Sequence, residues 1–238
     1  WIVPLSLSLL TFILCFDGTG WYRRDIVVSM SAAALGVMAW TQADPNLTHE
    51  LALQIGVFCI GLFLACMFCH GELVRLKPAP RYLTRFYLTI SLGGAIGAVL
   101  VGILAPLVLS AYFELGAALA LCAGLLLWQV RRDHLVFPAL GVAALVVTIG
   151  CAVWYVREFY DATIVAKRNF YGVLRVWETG TDVDRKRSLI HGTIMHGTQY
   201  ADPVLRRRPT TYYTATSGIG RAIDSLHPRL EPVKVGVV

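Results

Sequence analysis

The sequence predicts an α-helical membrane bundle of about six spans, followed by a small β-rich segment and the first strand of an incomplete Rossmann-like α/β domain. Three observations predict it. Of 238 residues, 56% are hydrophobic and the mean hydropathy is positive, too apolar for an ordinary soluble domain. The apolar runs fill the first 157 residues and are separated by short loops. From about residue 168 the composition changes to aromatic, β-branched, glycine and charged residues. The expected organisation is a transmembrane domain over 1–157 and an extramembrane domain over 168–238.

Residues 2–16 form the first apolar run, closed by the Asp17-Gly-Thr-Gly turn and a basic flank, Arg23-Arg24. A second, modest span covers 26–40, with small residues suited to helix–helix contact. The Asp44-Pro45-Asn46 loop has no basic residue, and its Asn46-Leu47-Thr48 match to a glycosylation sequon is of a kind common by chance. The 19 residues of 51–69 are long enough to cross the hydrocarbon core. His70 and Glu72 end that run, and Arg75, Lys77, Arg81 and Arg85 crowd the next loop with Pro78 and Pro80. A fourth span, 83–109, carries Gly93, Gly94, Gly97 and Gly102, which permit close approach of another helix. These glycines do not make a phosphate loop, because no strand precedes them. Runs at 115–130 and 137–156 complete about six spans.

The short loops at Arg23-Arg24, Arg75–Arg85 and Arg131-Arg132 are basic, whereas those near Asp44 and Glu114 are not. The positive-inside rule puts the basic loops in the cytoplasm of what reads as a bacterial inner-membrane protein. The chain after Val156 then emerges on the opposite side. His70 and Glu72 sit beside these loops. They read either as an interfacial ion-pair cluster or as a substrate or proton site. The six cysteines all fall in the apolar half and read as membrane-buried thiols. Cys66-x-x-Cys69-His70 spells a haem-attachment motif only superficially, since it closes an apolar helix on the cytoplasmic side.

Residues 157–168 read as an amphipathic exit from the membrane. Residues 170–177 favour a strand, Asp182-Val183-Asp184 a turn, 187–191 a returning strand, and 195–200 a further strand or loop. Residues 216–226 can form a short helix capped by Thr216 or Ser217 and stopped by His227-Pro228. The run VKVGVV, 233–238, reads as a buried parallel strand. With Trp1 at one end and this run at the other, the expectation is a fragment of a longer chain. The tail holds 13 Lys/Arg against 8 Asp/Glu. That excess reads as a solvated or membrane-proximal basic surface, or more sharply as a site for an anionic ligand. No nucleic-acid motif accompanies it. Arg206, Arg207 and Arg208 read as part of a solvated loop.

The stretches CHGELVRLKPAPRYLTRFYLTISLGGAIGAVLVGILAP (69–106), NFYGVLRV (169–176), HGTIMHGTQY (191–200) and PTTYYTATSGIG (209–220) resemble bacterial membrane proteins that fuse a transmembrane region to a spermidine synthase-like domain. The resemblance implies an aminopropyltransferase of polyamine biosynthesis, with decarboxylated S-adenosylmethionine as co-substrate of the full-length protein. A glycine-rich nucleoside-binding turn would follow VKVGVV. The catalytic aspartate is expected beyond Val238, so the fragment itself should be inactive and bind no cofactor. Soluble relatives carry a Leu-Asp-Gly-x-x-Gln motif and then a Tyr-His-Glu-like motif on a small β-domain. Here His191-Gly192 replaces Asp-Gly, Met195 stands where the glutamine belongs, and Gln199 offers an amide if residues are inserted. Tyr213 stands for the motif tyrosine, followed by Thr214, Ala215, Thr216 and Ser217 where the family has a carboxylate. The substrate-binding residues expected are therefore Gln199, Tyr213, His191 and His196. The two histidines lack an acidic or thiol third ligand nearby and make a poor metal set. The partners implied are the lipid bilayer and a polyamine or other amine, with room for a homo-oligomer. An alternative is a multi-pass transporter or sensor of polyamines, motivated by the glycine-rich helix and by His70 and Glu72. A third is a different S-adenosylmethionine-type transferase, motivated by the missing acceptor carboxylate.

Overall fold

The computed structural model describes residues 2–18, 20–44 and 50–226. They divide into two compact units, one of residues 1–105 and 112–158, the other of 106–111 and the chain from Phe159 onward. The first unit is helical. Its elements are α1 (Ile2–Asp17), α2 (Arg24–Ala43), α3 (Leu51–Arg75) and α4 (Leu83–Val99), then a π-helical turn (Leu100–Leu104), α5 (Ala105–Val108), α6 (Glu114–Val130) and α7 (Val136–Asp161). Four helices are long and apolar enough to cross a membrane: Arg24–Ala43, Leu51–Arg75, Pro80–Val108 and Val136–Asp161. Ile2–Asp17 and Glu114–Val130 are shorter apolar helices, so of the six expected spans four meet the length of a crossing.

Helical spacing decides what the bundle buries. In α2 the hidden residues are Val28, Ser31, Ala32, Leu35, Met38 and Ala39, three or four apart on one face. The same spacing gives Gly116, Leu119, Ala123, Leu126 and Val130 on α6. Between them and α3 lies a core in which Leu35, Phe68, Leu126 and Val130 are almost inaccessible. Lipid is as apolar as these side chains, so association depends on close packing and on polar bonds between helices. Ser31 supplies one such bond, its hydroxyl donating to the Leu64 carbonyl at 2.9 Å. Thr148 turns its buried hydroxyl back on its own helix, to Ala144 O at 2.8 Å.

Helix α4 departs from expectation. Among the described residues, a Cβ added at Gly93, Gly94, Gly97 or Gly102 would meet nothing within 4 Å. The small-residue face is present, but no described helix packs against it. The π-helical turn precedes Pro106, whose ring nitrogen cannot donate to the helix ladder and so loosens the turn before it.

The second unit is a four-stranded antiparallel meander, β1 (Thr163–Asn169), β2 (Gly172–Thr179), β3 (Lys186–His191) and β4 (Ile194–Tyr200), in the order β1-β2-β3-β4. The three expected strands are present. The amphipathic exit over 157–168 is not: α7 continues to Asp161 and the chain then forms β1. Thr163, Ile164 and Val165 are branched at Cβ and suit a pleated strand better than a helix end. The Asn169 side chain accepts from Tyr171 N at 2.9 Å, and Gly172 (φ 138°) lets the chain re-enter β2. The turn at Asp182–Asp184 is a single 3-10 turn.

The short helix α8 (Gly218–Leu226) starts one residue after Ser217, whose hydroxyl accepts from Gly220 N at 3.2 Å as an N-cap. A Cβ at Gly220 would lie 2.8 Å from both the Cα and the carbonyl oxygen of Ala215, atoms of the backbone that cannot rotate away. Gly220→Ala should therefore fray this helix, lowering amide-exchange protection across 218–226 while leaving that of β2 and β3 unchanged. Unchanged protection in α8 would show that the turn relaxes. The expected Rossmann-like strand, 233–238, and the Asn46-Leu47-Thr48 sequon lie outside the described residues.

Candidate functional site

The meander sets rows of side chains across one sheet face. Glu178 pairs with Arg187 and Arg187 with Gln199; one step along, Val176 pairs with Leu189 and Leu189 with Gly197. Alternation at period two places both rows on the same face. Gly197 leaves that floor open. The segment after β4 folds back over it through two 3-10 turns, Leu205–Arg207 and Thr211–Tyr213.

Three polar anchors fix this segment. The Asp202 carboxylate accepts from Val204 N at 2.8 Å and Leu205 N at 3.0 Å. The Gln199 amide donates to Arg206 O at 3.3 Å, and the Thr210 hydroxyl donates to Thr198 O. Between segment and sheet lies a cleft of about 540 Å³ lined by Arg187, Leu189, Gln199, Arg206, Arg208, Thr211 and Tyr213 among others. A smaller cavity of about 250 Å³ shares Arg187, Gln199 and Arg206 and adds Arg207.

Gln199 and Tyr213, 14 residues apart in sequence, thus line one cleft. His191 and His196 do not line it. Their rings face each other at the β3–β4 turn, centroids 5.9 Å apart, and His191 Nε2 lies 3.3 Å from Tyr171 O. Gly192, at φ 63°, supplies the left-handed residue that this turn requires. The four expected site residues form two pairs at different places on the sheet.

Arg187, Arg206, Arg208 and Thr211 were not expected in the site. Arg206, Arg207 and Arg208 are exposed, as a solvated loop requires, and Arg206 and Arg208 also line the cleft. The signal was there: a basic run directly before Pro-Thr-Thr-Tyr-Tyr, in a tail with excess positive charge. Thr211 is doubly unusual. It has φ 53°, a conformation that costs a non-glycine residue about 1–3 kcal/mol. Its hydroxyl is also buried without a hydrogen-bond partner among the described residues. Backbone strain of this kind persists where the surroundings hold it, often at ligand sites.

Among the described residues no carboxylate lines the cleft. Glu178, beside it, is held by Arg187 Nε at 2.8 Å, with Arg185 Nη1 at 3.9 Å. The Arg187 hydrogen bond holds the Glu178 carboxyl below its ordinary 4.5. A depressed carboxylate contributes stability that is complete above its unfolded pKa and is lost as pH falls through the folded one. The β2–β3 pairing should therefore loosen only below about pH 4.5. Amide exchange of 174–190 measured between pH 6 and 3 checks this, and Glu178→Gln should remove the dependence.

A second polar cluster lies in the helical unit. Glu72, whose side chain is 9% exposed, accepts from Tyr22 Oη at 2.7 Å, Arg24 Nε at 2.9 Å and Arg75 Nη1 at 3.1 Å. Arg24 also pairs with Asp133 and donates to Gln129 O at 3.3 Å. Burial, reinforced by the bond to Glu72, pushes the Tyr22 phenol well above its ordinary range. These bonds bring the three basic loops to one end of the bundle. His70 stands apart from the ion pairs, bonded to Thr11 Oγ1 at 3.0 Å. All six cysteines are free thiols. Among the described residues, no three His, Cys, Asp or Glu side chains converge as a metal set.

Comparison with models of protein families, with curated proteins and with solved structures finds no match to this chain.

Proposed function

We propose that this is a membrane-bound, spermidine synthase-like aminopropyltransferase of polyamine biosynthesis, held in a bacterial inner membrane. The observation that carries the reading is the small antiparallel sheet after the membrane helices, on which Gln199 and Tyr213 line one cleft. Soluble spermidine synthases, which the tail resembles, place a small β-domain before their Rossmann-like domain. In the reaction, an amine lone pair attacks the aminopropyl carbon of decarboxylated S-adenosylmethionine. The carbon–sulfur bond breaks with its electrons to sulfur, leaving neutral methylthioadenosine, and the new ammonium gives its proton to a base. The sheet's contribution would be to orient the acceptor for in-line attack.

The lining bears on which acceptor. Three guanidiniums and no carboxylate repel a dicationic diamine such as putrescine, so an amine of lower positive charge fits better. Product analysis with the full-length protein, decarboxylated S-adenosylmethionine and a panel of amines tests this. Release of methylthioadenosine with a mono-amine or amino acid acceptor, exceeding that with putrescine, is expected. Absence of release with every acceptor removes the transferase reading.

The transporter or sensor reading is motivated by the glycine-rich fourth helix, His70 and Glu72. That carboxylate already accepts from Tyr22, Arg24 and Arg75, the bonding of a structural clamp. Uptake of labelled spermidine into proteoliposomes should accordingly equal that of empty liposomes. Uptake abolished by Glu72→Ala would reverse the order of the two readings.

A further inference from the structure

We infer that the cleft between the β3–β4 face and the segment 202–213 binds a small anion bearing a phosphate or carboxylate group, held by Arg206, Arg208 and Arg187. The inference concerns binding alone and does not rest on the transferase reading.

Four observations carry it. Among the described residues the lining contains three guanidiniums and no acidic residue. Among the described residues neither Arg206 nor Arg208 has an ion-pair partner, while Arg187 is bonded to Glu178 through Nε. The backbone of the segment that presents them is held by Asp202, Gln199 and Thr210, which keeps the bases of these side chains together beside the sheet. Thr211, strained at φ 53°, lines the same cleft. A bound oxyanion answers all four. Guanidinium forks match phosphate and carboxylate oxygens two at a time. The exposed Tyr213 side chain, which shares the cleft, can donate its phenol proton to a remaining oxygen. The volume, about 540 Å³, is that of a site for a small organic molecule.

The test is calorimetric titration of the protein, held in phosphatidylcholine discs at low ionic strength, with pyrophosphate and separately with citrate. Saturable binding of at least one anion is expected. Arg206→Gln/Arg208→Gln should weaken it at least about tenfold, the loss of one or two charge-assisted hydrogen bonds. Arg221→Gln, outside the cleft, should leave it unchanged. Arg206→Lys, which keeps the charge but loses the fork, should fall between and guards against a misfolded double variant. Discs containing phosphatidylglycerol separate the sources. Competition there assigns the anion to a lipid headgroup, and undiminished binding assigns it to a soluble ligand; both outcomes support the anion site. Absence of saturable binding by either anion, equal affinity in the double variant, or tighter binding of spermidine than of both anions would overturn it.

Discussion

Replacing Arg24 by methionine should destabilise the helical unit by about 3 kcal/mol, the lower end of the range for removing one partner from a buried ion pair. Arg24 is the cation between two carboxylates. Its guanidinium reaches Glu72 at 2.9 Å, Asp133, and the Gln129 carbonyl at 3.3 Å. It therefore ties α2, α3 and the end of α6 in a bundle where hydrophobic burial gives little drive to association. Methionine would leave Glu72 with Tyr22 and with Arg75, whose half-exposed side chain lies on the same helix and joins nothing across the bundle. Removing both charges, in Arg24→Met/Glu72→Met, should recover most of the loss, because two apolar side chains leave no unpaired carboxylate at Glu72. Unfolding midpoints in one detergent, for the two single variants and the double, measure the coupling. A single-variant cost below about 0.5 kcal/mol would reduce the cluster to a solvated surface pair.

Gly71→Val should be comparably damaging, by about 3 kcal/mol, for a steric reason that ends in the same cluster. A Cβ at Gly71 would lie 2.5 Å from Tyr22 Cγ and overlap the ring. The aromatic ring cannot bend aside as a flexible chain can, and moving it breaks the 2.7 Å hydrogen bond from its phenol to Glu72. Overpacking alone costs about 1–3 kcal/mol, and the lost bond to a charged group adds to it. Gly61→Ala provides the contrast. There the nearest atoms, Sδ and Cγ, belong to the flexible Met38 side chain, which can change rotamer, so a clearly smaller shift in midpoint is expected. If both variants unfold alike, the ring is not the obstacle. Because Gly71 and Arg24 act on one network, their combined effect should be less than additive.

What could be read from sequence follows from how local each signal is. Helix positions came from apolar runs, and strands β2 to β4 from branched and aromatic residues between turn residues such as Gly180, Asp182 and Gly192. Strand β1 was missed because Thr163–Asn169 follows a helix without an intervening glycine or proline, so nothing marks the change. The charge alternation of the loops was legible, but the joining of Arg24, Glu72 and Asp133 was not. It brings together residues 48 and 109 positions apart, through bonds that no short motif encodes. In the cleft, Gln199 and Tyr213 were picked out by resemblance, and the arginines beside them were set aside as surface charge. Only the fold-back of 202–213 onto the sheet brings Arg206 and Arg208 to the cleft. The histidines stood out through their repeated His-Gly spacing, yet the β3–β4 turn pairs them with each other, away from the cleft.

The most direct measurement is methylthioadenosine release from decarboxylated S-adenosylmethionine by membranes containing the native protein, compared with Gln199→Ala/Tyr213→Phe and with His196→Ala. The full-length protein should show amine-dependent release, with a kcat/KM at least about tenfold lower in the cleft variant, as for loss of two orienting hydrogen bonds, and little change in the histidine variant. Absence of release with any amine, or equal rates in the wild type and the cleft variant, would contradict it.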